Sequence, residues 1–301
     1  MTDRSDYSDK TLGKAWVHEN MKIGVSSYAL TWSIGIAGQP QPDQPMDSAG
    51  LLGCAAAAGA EVLQIADNLP LHLLLPEERK ALAAGAAARH IALEVGTKGL
   101  NPANLLQYLD ISREIGAKLV RTLPHDDDDH PDMREALNRL RAVRSDFEQA
   151  GVMLAIENHD LYPASWLAAL IEKTCSRQIG ICLDAVNSLG RGESFAEVLD
   201  LLGRLAVNFH CKDYVIRRIP TMLGFDVTGS PAGEGMLDLK RAATILPDNN
   251  LSWIIESWTP WQGTIEATAD LEMSWLKKGV ANLTRFRESL KSADSACSQP
   301  E

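Results

Sequence analysis

Short apolar runs alternate with amphipathic stretches along most of the chain. The runs Lys22–Ser27, Glu61–Ala66, His90–Gly96, Lys118–Leu123, Val152–Glu157, Ile179–Asp184, Leu205–Cys211 and Trp253–Glu256 have the length and branching of buried strands. Helical spacing of apolar residues follows each one, and the start and stop signals agree with it. Asp47 or Ser48 can cap a helix ending at Gly59, and Pro76 opens one to about Arg89 with Glu77 and Glu78 in its first turn. Helices are also expected from Asn101-Pro102 to Ile115 before Gly116, from Pro131 to near Gly151, and over Ala164–Thr174, Ser194–Leu202, Asp238–Leu246 and Ile265–Arg287. Eight strand–helix units in succession predict an α/β protein with a (β/α)8 TIM-barrel fold. The competing doubly wound sheet usually carries a glycine-rich turn after its first strand. Here that turn reads Ser27-Tyr28-Ala29-Leu30.

The rhythm also sets the expected domain limits. Residues 1–20 are polar and read as an N-terminal arm, 21–290 as one barrel domain, and 291–301 as a disordered tail. The leader lacks an apolar core of the signal-peptide kind, and the sequence holds no membrane-length apolar run. Five scattered cysteines, with no C-x-x-C pair, fit reduced thiols and a cytoplasmic location. Cys182 and Cys211 read as small buried thiols. A net charge of −11 argues against nucleic acid or an anionic membrane as partner, and a homo-oligomer stays open.

In such a barrel, chemistry sits at the carboxyl ends of the strands. The last four strands end in Glu157, Asp184, His210 and Glu256, each after apolar sequence. Three convergent carboxylates repel one another, and a divalent cation removes the conflict. Three oxygen ligands and one imidazole suit one divalent metal, Mn²⁺ or Mg²⁺ first, with Co²⁺ or Zn²⁺ also compatible. Without a thiolate among the four, a structural zinc site is not expected.

The segments Leu-Ala-Ile-Glu157-Asn158-His159, Ile-Cys-Leu-Asp184-Ala-Val-Asn187, Phe-His210-Cys-Lys212-Asp213, Gly233-Glu-Gly235 and Ile-Ile-Glu256 together resemble the xylose isomerase-like TIM barrels, the superfamily of sugar phosphate isomerases and epimerases. The resemblance runs from Lys22 to about Arg287 and implies that the four strand-end residues hold one metal, usually Mn²⁺. It further implies that Glu157 and Glu256 are an acid/base pair on a small sugar, keto-sugar or polyol, moving a proton next to a carbonyl through a metal-stabilised enediolate. The family often has His where this chain has Asn187, which cannot shuttle a proton. That departure favours the alternative, a lyase or dehydratase that eliminates a group from a keto-sugar, keto-inositol or 3-keto-glycoside. An apurinic endonuclease shares the barrel but needs more histidine ligands and a basic face. A non-catalytic barrel is at odds with a complete ligand set.

Several further residues are candidate substrate contacts: His159, Asn187, Lys212, Arg217 and Trp258. Trp32 and Trp261 are expected near the barrel mouth. Glu94 is expected to face the interior and hold a substrate group or Lys98. The acidic run His125–His130 reads as a solvated cap for the helix after it rather than the main metal site. The glycine-containing insertion Arg217–Gly235 reads as an active-site lid.

Overall fold

The computed structural model describes residues 21–247 and 251–297. Eight strands close into a parallel barrel: β1 (Lys22–Ser26), β2 (Val62–Ile65), β3 (Ala92–Lys98), β4 (Leu119–Leu123), β5 (Met153–Glu157), β6 (Ile179–Asp184), β7 (Ala206–Lys212) and β10 (Ser252–Glu256). Around the ring each strand pairs with its neighbours in sequence, and β10 closes it by pairing with both β7 and β1. The remaining strands, β8 (Tyr214–Arg218) and β9 (Phe225–Gly229), form an antiparallel hairpin outside the barrel. The helices are α1 (Thr31–Ile34), α2 (Ser48–Ala58), α3 (Pro76–Ala87), α4 (Pro102–Ile115), α5 (Met133–Ala150), α6 (Ala164–Thr174), α7 (Phe195–Leu202), α8 (Leu239–Ile245) and α9 (Ile265–Cys297).

Alternation along the strands divides the apolar content into two layers. Outward residues meet the helices. Trp253 on β10 lies edge-on to Phe209 of β7 at 4.9 Å between centroids and 5.9 Å from Phe286 of α9. Full burial of each such ring is worth about 1.5–3 kcal/mol. Inward, Leu119, Ala155 and Cys182 form a small separate apolar cluster, with Met153 and Val207 packed against it. Above that plug the inward positions turn polar. The β6–β7 register jumps by one residue between Ile181 and Cys182, so that Cys182 pairs with Asn208 and Asp184 with His210. A bulge of this kind re-aims the side chains beyond it. From there Asn208, His210 and Lys212 alternate on one face of β7, and all three are buried.

The helix signals are observed largely where the sequence puts them. Asp47 accepts from Gly50 N at the start of α2, and Gly116 closes α4 in the left-handed region at φ 76°. Three expectations need correction. The helix expected to open at Pro131 begins at Met133, because Asp132 and Glu135 form a reciprocal capping box. The third strand starts two residues later than expected, since His90 turns the chain with φ 56°. The last helix runs through Cys297, so residues 291–297, expected in a disordered tail, belong to it. The arm expected over 1–20 and the last four residues lie outside the described residues. Among the described residues, no helix is long and apolar enough to cross a membrane.

Candidate metal centre

Glu157, Asp184, His210 and Glu256 end or nearly end β5, β6, β7 and β10, and all four are buried. They converge on the imidazole. His210 Nδ1 lies 3.4 Å from Glu157 Oε2, 3.7 Å from Asp184 Oδ2 and 3.3 Å from Glu256 Oε1. The other imidazole nitrogen is occupied: Nε2 is 2.8 Å from Gln64 Oε1. Gln64 uses its amide nitrogen to donate to Glu94 and Asn208, at 3.0 and 3.2 Å, so its oxygen is left to accept from His210. With Gln64 Oε1 as acceptor the proton sits on Nε2 and the Nδ1 lone pair faces the acids, the orientation in which an imidazole can hold a metal.

Buried polar atoms without a hydrogen bond are rare in folded proteins. Three lie here together: His210 Nδ1, Glu256 Oε1 and Asp184 Oδ2. The last is 2.9 Å from Lys212 Nζ yet accepts no aligned hydrogen bond. These ligand atoms lie within 4.8 Å of one another. A divalent cation would satisfy all three at once, and the oxygen-rich donor set fits one.

Two buried cations share the site with the acids. Lys212 Nζ is 2.9 Å from both Asp184 Oδ2 and Glu256 Oε2, donates to Asn187 Oδ1 at 3.2 Å, and stands 5.5 Å from the centre of the Trp258 ring. Arg121 on β4 donates through Nε to Glu157 Oε2 and at 2.7 Å to Asp67 Oδ1. Burial would raise the Asp184 and Glu256 carboxyls, but Lys212 and His210 outweigh it and hold both below the usual carboxylate range. Burial would likewise lower the Lys212 ammonium, but Asp184, Glu256 and Glu157 outweigh it and keep it charged. For His210, burial acts downward and the attraction of Glu256 and Glu157 more than offsets it, so a proton competes with a metal for Nδ1.

Of the expected substrate contacts, Asn187, Lys212 and Trp258 come to this centre. Asn187 donates to Glu157 Oε1 at 2.8 Å, while its backbone N–H donates to Asp184 Oδ1 at 2.7 Å. His159 turns away to Asp160 and lies in a ring cluster with His125, 5.4 Å between centroids. Arg217 stands exposed on the hairpin, opposite Asp226. Glu94 faces the interior as expected, but it pairs there with Ser252, Gln64 and Asn208, from which it accepts, rather than with Lys98. Lys98 pairs instead with Asp127 at 2.6 Å, and Arg139 holds Asp129, so the acidic run is tied down by cations while Asp132 does the capping. Trp32 and Trp261 meet at 5.0 Å, and the Trp32 indole donates to Thr259 O.

Four residues of the centre escaped the sequence reading. Arg121 and Gln64 each interrupt an apolar strand, Leu-Val-Arg121-Thr-Leu and Val-Leu-Gln64-Ile, and a polar side chain there needs a partner inside. Asn208 sits two residues before His210, on the same face. Cys182, two before Asp184, shares its face in the same way, and its Sγ joins Glu157 and His210 in a second group of ligand atoms within 4.8 Å. Cys182 is buried, as expected of a small thiol in an apolar strand.

Eight parallel strands with a buried acid–imidazole group at their carboxyl ends narrow the relationship, and comparison decides it. The model of the xylose isomerase-like TIM barrel matches residues 55–279. The chain belongs to that family. The 3-oxo-isoapionate decarboxylase of Pectobacterium atrosepticum is 34% identical over 262 residues, spanning 86% of this chain and 94% of that protein. A D-psicose 3-epimerase from Clostridium cellulolyticum H10, solved with D-tagatose, superposes with a TM-score of 0.65 at 17% identity, covering 90% of this chain and 99% of that one. A family member from Mycobacterium smegmatis in complex with magnesium gives 0.64 at 14% identity, over 89% and 99%. At those identities the two structures speak for the fold alone.

Proposed function

We propose that the protein is a divalent-metal-dependent decarboxylase of a 3-oxo sugar acid. The observation that carries this is Lys212, a buried ammonium 2.9 Å from two acids of the metal group and facing Asn187 and Trp258. The 34% identity to a decarboxylase of a 3-oxo acid supports it. In a 3-oxo acid the carbonyl is β to the carboxylate. Breaking the bond to the carboxylate carbon leaves the electron pair on the α carbon, delocalised into the carbonyl as an enolate, while CO₂ departs. The reaction requires no base to remove a C–H proton. It requires positive charge at the developing enolate oxygen and a proton returned to carbon.

Glu157, Asp184, His210 and Glu256 would hold the metal, with Mn²⁺ or Mg²⁺ suited to the oxygen-rich set. The metal, when bound, supplies Lewis-acid stabilisation of the carbonyl oxygen. Lys212 supplies a second positive charge and is the proton donor best placed among the described residues. Both oxygens of Glu157 already accept hydrogen bonds, from Arg121 and Asn187, so it acts as a fixed ligand rather than a free base. Trp258 and Asn187 would border the substrate. His159 and Arg217 have no part in this reading.

The second reading is the isomerase or epimerase with Glu157 and Glu256 as the proton-transfer pair. The observation favouring it is that Glu256 Oε1 is buried and holds no hydrogen bond, as a base needs. Product analysis separates the two. Metal-loaded protein incubated with a 3-oxo sugar acid should release one CO₂ per turnover, and Lys212→Met should retain metal but lose at least about 100-fold in kcat. A product that keeps every carbon and oxygen of the substrate, and exchanges one carbon-bound hydrogen for deuterium in D₂O, would establish the isomerase instead.

A further inference from the structure

We propose that the centre offers one ion two alternative positions, and that the Cys182 thiol is a ligand of the deeper one. The proposal rests on the reading of the centre as a metal site. Two groups of ligand atoms share the same imidazole: Asp184, His210 and Glu256 form one, and Glu157, Cys182 and His210 form the other. All five side chains are buried. His210 Nδ1 has no hydrogen-bond partner, and a single lone pair can serve one position at a time.

One edge of the deeper group, His210 Nδ1 to Glu157 Oε2, already has the span of a tetrahedral ion, and the Cys182 edge must shorten by a few tenths of an ångström to reach it. Zinc bonds of about 2.0–2.3 Å to nitrogen, oxygen and sulfur set ligand atoms roughly 3.3–3.6 Å apart. Here His210 Nδ1 and Glu157 Oε2 are 3.4 Å apart, and Cys182 Sγ and Glu157 Oε2 are 3.9 Å apart. The thiol is held in place from the other side by Asn208 Oδ1 at 3.2 Å. Cys182 lies two residues before Asp184 on β6, so its sulfur is on the same inward face and one step further into the barrel.

The two positions differ in softness. Mn²⁺ and Mg²⁺ prefer oxygen and take the Asp184–Glu256 group, where Lys212 also points. Zn²⁺ and Co²⁺ accept sulfur and are drawn to Cys182. On binding there the thiol proton leaves to solvent as the metal–sulfur bond forms. An ion so placed gives up Asp184 and Glu256, which remain paired with Lys212. Cys182 therefore sorts metals by position: a thiophilic ion binds tightly but away from the substrate side.

Metal-stripped full-length protein and its Cys182→Ser variant, both checked for fold by circular dichroism, should be titrated with Co²⁺ and, in competition, with Zn²⁺ and Mn²⁺. In the wild type, Co²⁺ is expected to give a near-ultraviolet sulfur-to-cobalt charge-transfer band. Cys182→Ser should still bind Co²⁺ but lose that band, and its Zn²⁺ affinity should fall on the order of tenfold or more with Mn²⁺ affinity unchanged. Bound Co²⁺ without the band, or a band that survives Cys182→Ser, overturns the thiol ligand and leaves the metal centre standing. Failure of the wild type to bind any of the three ions overturns the centre itself.

Discussion

A carboxyl in the floor of the centre shows how single residues were tuned. Burial pushes the Glu94 carboxyl up, and the donors Ser252, Gln64 and Asn208 only partly offset it. For an acid whose folded value is raised, the unfolded chain releases its proton first as pH rises. Stability is therefore full below the ordinary carboxylate range and declines from there up to the folded value. Glu94→Gln removes this loss. Its amide oxygen can keep the bonds from Gln64 and Asn208, and its nitrogen can donate to Ser252 once that hydroxyl rotates. We expect urea unfolding of Glu94→Gln to show stability equal to or above wild type at neutral pH and a flatter pH dependence above the carboxylate range. A variant that is less stable at neutral pH and keeps the wild-type slope would refute the assignment. Gln64 links this network to His210, so the imidazole is oriented from below.

Among the elements, the hairpin that follows β7 is the one the sequence left unformed. The insertion after His210 reads as a lid because glycines break it, and nothing in its pattern shows that Ile216 pairs with Val227. The structural cause lies in one carboxylate. Asp213 accepts from the backbone N–H groups of Tyr214, Gly233, Gly235 and Leu237, so it ties both ends of the insertion to the end of β7. Glycine is required beside it: a Cβ on Gly235 would fall 2.2 Å from Asp213 Oδ1, and one on Gly229 would fall 2.3 Å from Trp258 O. Through Gly229 the hairpin thus seats the loop that carries Trp258. Asp213→Ala leaves these donors without an acceptor, at about 1–3 kcal/mol for each that stays buried. We expect it and Gly229→Ala to lower the melting temperature and raise KM, with metal affinity in titration calorimetry unchanged. Wild-type KM in Gly229→Ala would separate the hairpin from the substrate site.

At the scale of the molecule, the barrel and four acid or imidazole strand ends were legible because period and position carry them. Strands buried on both faces read as apolar runs, and Glu157, Asp184, His210 and Glu256 stand where those runs stop. Arg121, Gln64, Asn208 and Cys182 were harder, because which strand interior they share depends on closure and on the bulge between Ile181 and Cys182. His159 and Arg217 lie away from the acid–imidazole group for the converse reason: beyond a strand end, alternation no longer fixes direction. The charge arrangement inside the barrel leads to a last expectation. Lys212 and Arg121 already neutralise part of the acid cluster, so the fold does not depend on a metal as a structural zinc site does. Depressed Asp184 and Glu256 stabilise the protein above the ordinary carboxylate range and lose that contribution as pH falls through their folded values. Raised Lys212 stabilises it below the ordinary lysine value and loses that as pH rises through its folded value. At neutral pH both contributions are present without any ion. Chelation should therefore leave far-ultraviolet circular dichroism unchanged and remove only the binding term, about 2.7 kcal/mol for an ion at 100 times its Kd. With roughly 2 °C per kcal/mol for a chain of this size, the melting temperature should fall by about 5 °C and recover on adding Mn²⁺. Collapse of the fold on chelation would show that the buried ammonium and guanidinium do not balance the acids.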